Sequence, residues 1–186
     1  LPSDEWLAMH RRLSSREFSV AYYRKMASLL SLHEGGRSLL LPCLSRFITT
    51  VDELKSLATP CSASVPEGRA MEADGKGLIF KAPWSSSGRG NIVVNGEPEP
   101  ATWRRIAHIM REQGGVAVDP FYEDKALDFA MEFMVGDAGV EFLGYSVFDT
   151  NEMGHYLGNY VESQSRLLQR IGVLTDLLLP LIDYHR

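Results

Sequence analysis

Cysteine is nearly missing from this chain. Cys43 and Cys61 are the only two in 186 residues. Neither stands in a C-x-x-C pair or a Cys/His cluster, which argues against a zinc module and sets no disulfide framework. Two such thiols fit reduced groups in a cytoplasmic protein. Long apolar runs are missing as well. None approaches the ~18 residues of a membrane-crossing helix, and no signal peptide is visible at the start. Positive charge is in deficit, with 19 Lys and Arg against 24 Asp and Glu. The net charge of −5 leaves no basic footprint for nucleic acid, and the local pair Arg104-Arg105 is too small to reverse that. Two familiar phosphate signatures, G-x-x-x-x-G-K-[ST] and G-x-G-x-x-G, are also missing.

What remains is ordinary globular material, 45% hydrophobic and 23% charged. The length suits one domain, or a domain with a helical appendage. The chain begins with Leu1, not Met, so a processed protein or a piece of a longer one is expected.

The first half reads as mainly helical. Ser3 is a candidate N-cap, followed by Asp4 and Glu5 at the positive end of a first turn. A helix over residues 1–14 carries Trp6, Met9 or His10, and Leu13 as a stripe. A second helix over 15–32 has Phe18, Tyr22, Met26, Leu29 and Leu30 at helical spacing, predicting one buried face, and Gly35-Gly36 ends it. Residues 38–48 read as a short strand and loop broken by Pro42. Thr50-Val51-Asp52-Glu53 has the form of a capping box and predicts a short helix to about Leu57. Residues 59–77, rich in Pro, Gly, Ser, Ala and charge, read as a loop.

The next stretch organises the rest. Leu78-Ile79-Phe80-Lys81-Ala82-Pro83-Trp84-Ser85-Ser86-Ser87-Gly88-Arg89-Gly90 opens as an apolar strand with a lysine in it. A loop of three serines and two glycines, with an arginine between the glycines, follows. Lysine and arginine supply fixed charge, and serines and glycines supply hydroxyls and a backbone that bends close to a ligand. That is the composition of a polyphosphate clamp. Read blandly, it is a Ser/Gly surface turn.

Beyond it, Asn91 to Val94 predicts a hairpin return with a turn at Asn95-Gly96. Trp103, Ile106, Ala107 and Met110 fall at i, i+3, i+4 and i+7 of a helix over 101–113, closed by Gly114-Gly115. His108 lies off that stripe, as a surface residue. Strands are expected over Val116–Tyr122, Asp128–Val135 and Val140–Phe148, with a turn at Gly136 and Gly139. A last helix spans 161–183, with Leu167, Ile171, Leu174, Leu178 and Leu181 as its stripe and Pro180 kinking or ending it. A helix flanked by strands, then consecutive strands joined by short turns, predicts an α+β antiparallel sheet with flanking helices and a helical N-terminal segment. The expected division is a helical segment 1–58 and a sheet region 59–186.

Three segments resemble the ATP-grasp superfamily, in particular bacterial proteins with a KAPWSSSGRG-like motif. The first is the Lys81 stretch. The second is Gln113 to Tyr122 with Leu127 to Phe133, similar to a "v-v-E-p-f … D-f-a-m-E-f" run. The third is Gly144 to Phe148 with Gly154 to Asn159, similar to "G-y-S-x-F … G-x-Y-x-G-N". The resemblance implies an ATP-grasp-like sheet that is incomplete at its C-terminal end. It implies ATP and Mg²⁺ as cofactors, with Lys81 on the phosphates and Ser85, Ser86, Ser87, Gly88, Arg89 and Gly90 folding over them as a lid. Arg16 is the candidate for an early basic residue on the phosphates, where the family usually has Lys. Asp119 stands where the family has Glu, an adenine or ribose contact. Phe121 and Tyr122 would contact adenine through their backbones. Asp128 and Glu132 are site candidates, or equally solvated positions on a half-buried strand. The third segment offers Ser, His, Tyr and Asn side chains for an acceptor, and fits a structural turn equally well.

The implied reaction is ligation of a carboxylate to an amine or thiol through an acylphosphate, on an unknown small-molecule or peptide carboxylate. No catalytic residue is assigned. The family's acidic residue and E-x-N-like pair for magnesium have no convincing match before Arg186, so no metal ligand is named and the metal-binding strand is expected beyond the end. Two other readings stay open: a non-catalytic nucleotide-binding or scaffold domain without the metal site, and a structural module with an incidental Ser/Gly loop.

Overall fold

The computed structural model describes residues 2–31, 45–58, 77–122, 125–172, 179, 182 and 183. Cys43, Cys61 and residues 59–76 of the loop expected over 59–77 lie outside these residues, as do 38–44, and Gly77 opens a strand. The described elements run α1 (Asp4–Leu13), α2 (Arg16–Ser31), β1 (Arg46–Ile48), α3 (Val51–Ala58), β2 (Gly77–Lys81), β3 (Asn91–Val94), α4 (Pro100–Gln113), β4 (Val116–Phe121), β5 (Asp128–Gly136), β6 (Gly139–Thr150), β7 (Tyr156–Asn159) and α5 (Gln164–Ile171). All strand pairs are antiparallel. They form one sheet in the order β1-β4-β2-β3 and another in the order β5-β6-β7. The fold is α+β with antiparallel sheets, as the alternation of elements predicts. The chain divides into two compact units, Leu1–Lys25 with Pro42–Glu123 and Met26–Leu41 with Asp124–Arg186.

In the first unit, the helix ends follow the side chains that cap them. The Ser3 hydroxyl accepts the Trp6 N–H at the start of α1. At α3 the expected capping box forms: the Glu53 N–H donates to Thr50 Oγ1, and Glu53 Oε2 accepts from the N–H groups of Thr49 and Thr50. These bonds, the one from Thr49 foremost, hold the Glu53 carboxyl below its usual range. α4 ends at Gly114, which takes φ +79° and donates its N–H to the Met110 carbonyl at 2.8 Å. Only a residue tolerant of left-handed φ closes a helix this way at no cost.

One face of the first sheet carries the core. Ile48, Phe80, Ile92, Val94, Val116 and Val118 pack with Leu54 of α3 and Ile106 and Met110 of α4. Phe80, Ile106, Val116 and Val118 are all but fully covered, each stabilising the unit by roughly 1.5–3 kcal/mol of apolar burial. Strand period 2 therefore sends Ile79, Lys81, Ala117 and Asp119 to the other face. Pro120 sits inside β4, opposite Leu78. Its missing N–H is tolerated there because the described pairing with β1 ends at Val118.

α2 departs from its expected pattern. Phe18 is 37% exposed, whereas Val20 is buried. The stripe Glu17, Val20, Ala21 and Arg24 lines a cleft of about 380 Å³ with Arg46, Phe47, Ile48, Glu53 and Ser56. The helix turns toward the sheet through Val20 because its first turn is fastened elsewhere, as described below. The side chains of Met26, Leu29 and Leu30 lie outside the described residues. The α1 stripe is left about half exposed at Trp6, Met9 and Leu13, with Trp6 stacked on His10 of the same helix.

The second unit is a long β5–β6 hairpin with β7 on its far edge. Gly136 and Gly139 face each other at the turn, as expected. Leu143 is an extra residue in β6, because Glu132 pairs with Gly144 while Phe133 pairs with Phe142. Just past this bulge, Gln164 acts as a strand substitute. Its Oε1 accepts the Tyr145 N–H at 2.8 Å and its Nε2 donates to the Tyr145 carbonyl at 2.9 Å. That docks α5, whose Leu167 and Ile171 pack with Tyr145 and Val147. The expected helix over 161–183 starts later and is interrupted at Gly172, with Leu179, Ile182 and Asp183 helical beyond it. Ser163 is its N-cap and Gly172, at φ +66°, its C-cap, and Gly172 is a natural stop. Leu174, Leu178, Pro180 and Leu181 lie outside the described residues.

Candidate functional site

β2 delivers Lys81 to its last position, on the face away from the core. Its Nζ lies 2.6 Å from Asp119 Oδ2, with the two side chains 27% and 19% exposed. Register explains the contact. Asp119 pairs with Ile79 and Lys81 with Ala117, so the two charges meet on the diagonal of an antiparallel pair, a reach long side chains make. The other carboxylate oxygen, Oδ1, accepts a close hydrogen bond from the Ser45 hydroxyl. Ser45 is held in turn: the Arg24 guanidinium donates to its carbonyl from Nε at 3.1 Å and from Nη2 at 2.8 Å.

Asn91 pairs directly with Lys81 across β2–β3, and its Oδ1 is buried with no hydrogen-bond partner among the described residues. A buried acceptor left open is uncommon and costly, and here it lies beside the lysine.

Between Lys81 and Asn91 the loop is tied at its base. The Ala82 N–H donates to the Gly90 carbonyl at 3.1 Å, and Ser85 Oγ donates to the Ala82 carbonyl at 3.2 Å. A Cβ on Gly90 would stand 2.7 Å from the Ser85 side chain and 2.8 Å from Ala82 Cβ, so only glycine lets the base close. At the tip, Ser87 (φ +54°) and Gly88 (φ +74°) are left-handed, and the Arg89 N–H donates to the Ser86 carbonyl at 3.2 Å. This is the signature of a type I′ turn. Among the described residues no acceptor takes the N–H of Ser86, Ser87 or Gly88. Arg89 is exposed.

The N-terminal helices meet this base. The Arg16 N–H donates to the Pro83 carbonyl at 3.0 Å and its Nε to the Ala82 carbonyl at 3.2 Å. Trp84 donates its N–H to Gln113 Oε1 and its indole N–H to the Arg11 carbonyl, and the Arg11 guanidinium lies 4.8 Å from the centre of its ring. The loop is thus anchored at Ala82 to Trp84, with its tip free of these ties.

The predicted residues therefore divide. Arg16, Lys81, the loop from Ser85 to Gly90, and Asp119 come together around the end of β2. Phe121 closes β4, paired with Gly77, and Tyr122 follows it, both half-buried. Asp128 belongs to the second unit, where its Oδ2 is 2.6 Å from Lys125 Nζ and accepts from Thr150 Oγ1 at 2.8 Å. Glu132 accepts from Ser146 in the same unit. The third sequence segment opens inside β6 and closes in β7, and between its two parts Asn151 Oδ1 accepts the N–H groups of Met153 and His155. Among the described residues no group of three or more His, Cys, Asp or Glu side chains is placed to hold a metal ion.

Sequence reasoning did not reach Ser45, Arg24 or Asn91. Ser45 and Asp119 are 74 positions apart, with no local signal to join them. Asn91 was reachable, because closing the loop at Ala82 and Gly90 places it opposite Lys81.

No protein-family model matches the chain, and no curated protein matches it. Among solved structures, one that resembles it is the crystal structure of N5-carboxyaminoimidazole synthetase from Staphylococcus aureus complexed with ADP. The identity is 9% and the TM-score 0.47, over 90% of this chain and 37% of the synthetase chain. This chain thus spans little more than a third of that protein's length.

Proposed function

We propose that the first unit binds ATP, with the phosphates at the end of β2. One observation carries the reading: Lys81 stands off the core face immediately before a glycine-closed loop whose tip N–H groups at Ser86, Ser87 and Gly88 have no acceptor among the described residues. A lysine point charge and a set of open N–H groups suit a polyphosphate. The ATP-grasp resemblance of the same residues points to the same ligand. In this reading Lys81 and Arg89 neutralise phosphate charge and the backbone of Ser85 to Gly90 surrounds it. The backbones of Phe121 and Tyr122 take the base, while Asp119, a nucleotide contact by the family resemblance, holds Lys81 in the ligand-free protein. Arg16 stands at the loop base as the further phosphate candidate.

The reaction proposed for a protein containing this unit is ligation. A substrate carboxylate oxygen attacks the γ-phosphorus and ADP leaves. An amine or thiol then attacks the acyl carbon and phosphate leaves with the bonding pair. Such catalysis rests on positioning and charge neutralisation, which is what these residues supply. Magnesium, when bound, would neutralise phosphate charge, and no contact to it is assigned to this chain's residues.

The test is calorimetric titration of ATP, with and without Mg²⁺, into this chain and into Lys81→Ala. Saturable binding that Lys81→Ala weakens supports the reading. Equal binding by both proteins, or none by this chain and none by a longer chain containing it, removes it.

A further inference from the structure

The Lys81–Asp119 pair does not stand alone. Asp119 has two oxygens, and each has its own donor: Lys81 Nζ on Oδ2 and the Ser45 hydroxyl on Oδ1. A carboxylate gripped at one oxygen by a fixed hydroxyl has only its other oxygen to turn toward the lysine. The hydroxyl is itself fixed, because the Arg24 guanidinium fork holds the Ser45 carbonyl. α2 is thereby fastened twice beside the candidate site. Arg16 ties its first residue to Ala82 and Pro83, next to Lys81. Arg24 ties it to Ser45 eight residues later, about 12 Å along the axis. The helix acts as a splint between the loop base and the start of β1.

We propose that Ser45 is a positioning residue of this site: its hydroxyl orients the Asp119 carboxylate, which holds the Lys81 ammonium where a phosphate group meets it. This rests on the ATP reading above for its ligand and on the Ser45–Asp119–Lys81 geometry for its mechanism. Ser45 touches neither phosphate nor base. It acts through Asp119, and Arg24 acts through Ser45.

The experiment compares the wild type with Ser45→Ala and with Ser45→Thr, which keeps the hydroxyl. Two signals are read: ATP affinity, and the Lys81 side-chain ammonium resonance in ¹⁵N,¹H spectra, assigned by its loss in Lys81→Arg. Ser45→Ala is expected to weaken ATP binding about 2- to 10-fold, the scale of one lost hydrogen bond. It should also shift or broaden the Lys81 resonance, while Ser45→Thr restores both. A purely structural role for Ser45 would leave the Lys81 resonance of the folded protein unmoved. An unchanged resonance in Ser45→Ala overturns the proposal, as does a change that Ser45→Thr does not reverse. If neither this chain nor a longer chain containing it binds ATP, the nucleotide reading fails by itself. The resonance then decides the role of Ser45 without a ligand.

Discussion

Lys81 Nζ lies 2.6 Å from Asp119 Oδ2, each side chain largely covered. The two charges cancel in the ligand-free protein, and an incoming phosphate must share the lysine with the aspartate. Lys81→Ala removes the phosphate charge and strands the carboxylate. ATP affinity is expected to fall about 10- to 100-fold, the ~1.5–3 kcal/mol of a hydrogen bond to a charged group. Unfolding free energy should fall by about 1–3 kcal/mol because Asp119 loses a partner. Calorimetry and urea denaturation read the two effects separately. Full affinity in the variant would move the phosphates away from β2.

Gly90 is the residue on which closure of the loop base depends. Gly90→Ala drives a methyl group against Ser85 and Ala82 and is expected to cost about 1–3 kcal/mol of stability, together with a loss of ATP affinity. Gly158→Ala in β7 meets nothing within 4 Å and serves as the control, within ~0.5 kcal/mol of the wild type. Equal melting temperatures for the two variants would contradict the packing of the loop base.

The Glu53 cap makes a pH-dependent contribution. Its folded pKa is lowered, first by the Thr49 N–H and then by the hydroxyl and N–H of Thr50. A carboxylate with a depressed folded pKa stabilises above its unfolded pKa, about 4.3, and loses that contribution as pH falls through the folded value. The melting temperature of the wild type should therefore exceed that of Glu53→Gln from pH 7 down to about 5. The gap should close as the pH falls further. A gap that persists undiminished to pH 3 would show that the carboxylate charge is not what the cap uses.

Gln164 replaces a strand partner at Tyr145. Gln164→Ala leaves an N–H and a carbonyl of the half-buried edge without their partner and should cost about 1–3 kcal/mol by urea denaturation. Gln164→Glu keeps the acceptor and lacks the donor, so it should fall between the two. An alanine variant as stable as the wild type would show that α5 is held by Leu167 and Ile171 alone.

Much of this fold is legible residue by residue. Ser3, the Thr50–Glu53 box and Gly114 announce helix ends through bonds made within a few positions, so local sequence suffices. The stripe Trp103, Ile106 and Met110 names the buried face of α4, because the helix lies along an apolar sheet. The same method misjudges α2. Phe18 has the better hydrophobic credentials, yet Val20 is buried, because the Arg16 bonds to Ala82 and Pro83 set the rotation of the helix. The last helix is expected unbroken because apolar spacing continues past Gly172, but the backbone there turns left-handed, and Leu179, Ile182 and Asp183 are helical beyond the break.

The sequence by itself determined the element types apart from β7, the antiparallel α+β class and the composition of the loop after Lys81, since these rest on periodicity, capping and turn chemistry that act over a few residues. Tertiary structure alone decided which groups meet. Strand register brings Asp119 onto the diagonal from Lys81 and Asn91 opposite it, and the start of β1 carries Ser45 to Asp119 from 74 positions away. No local rule encodes those contacts, because they depend on how separate segments pair and pack once the apolar face of the sheet is buried.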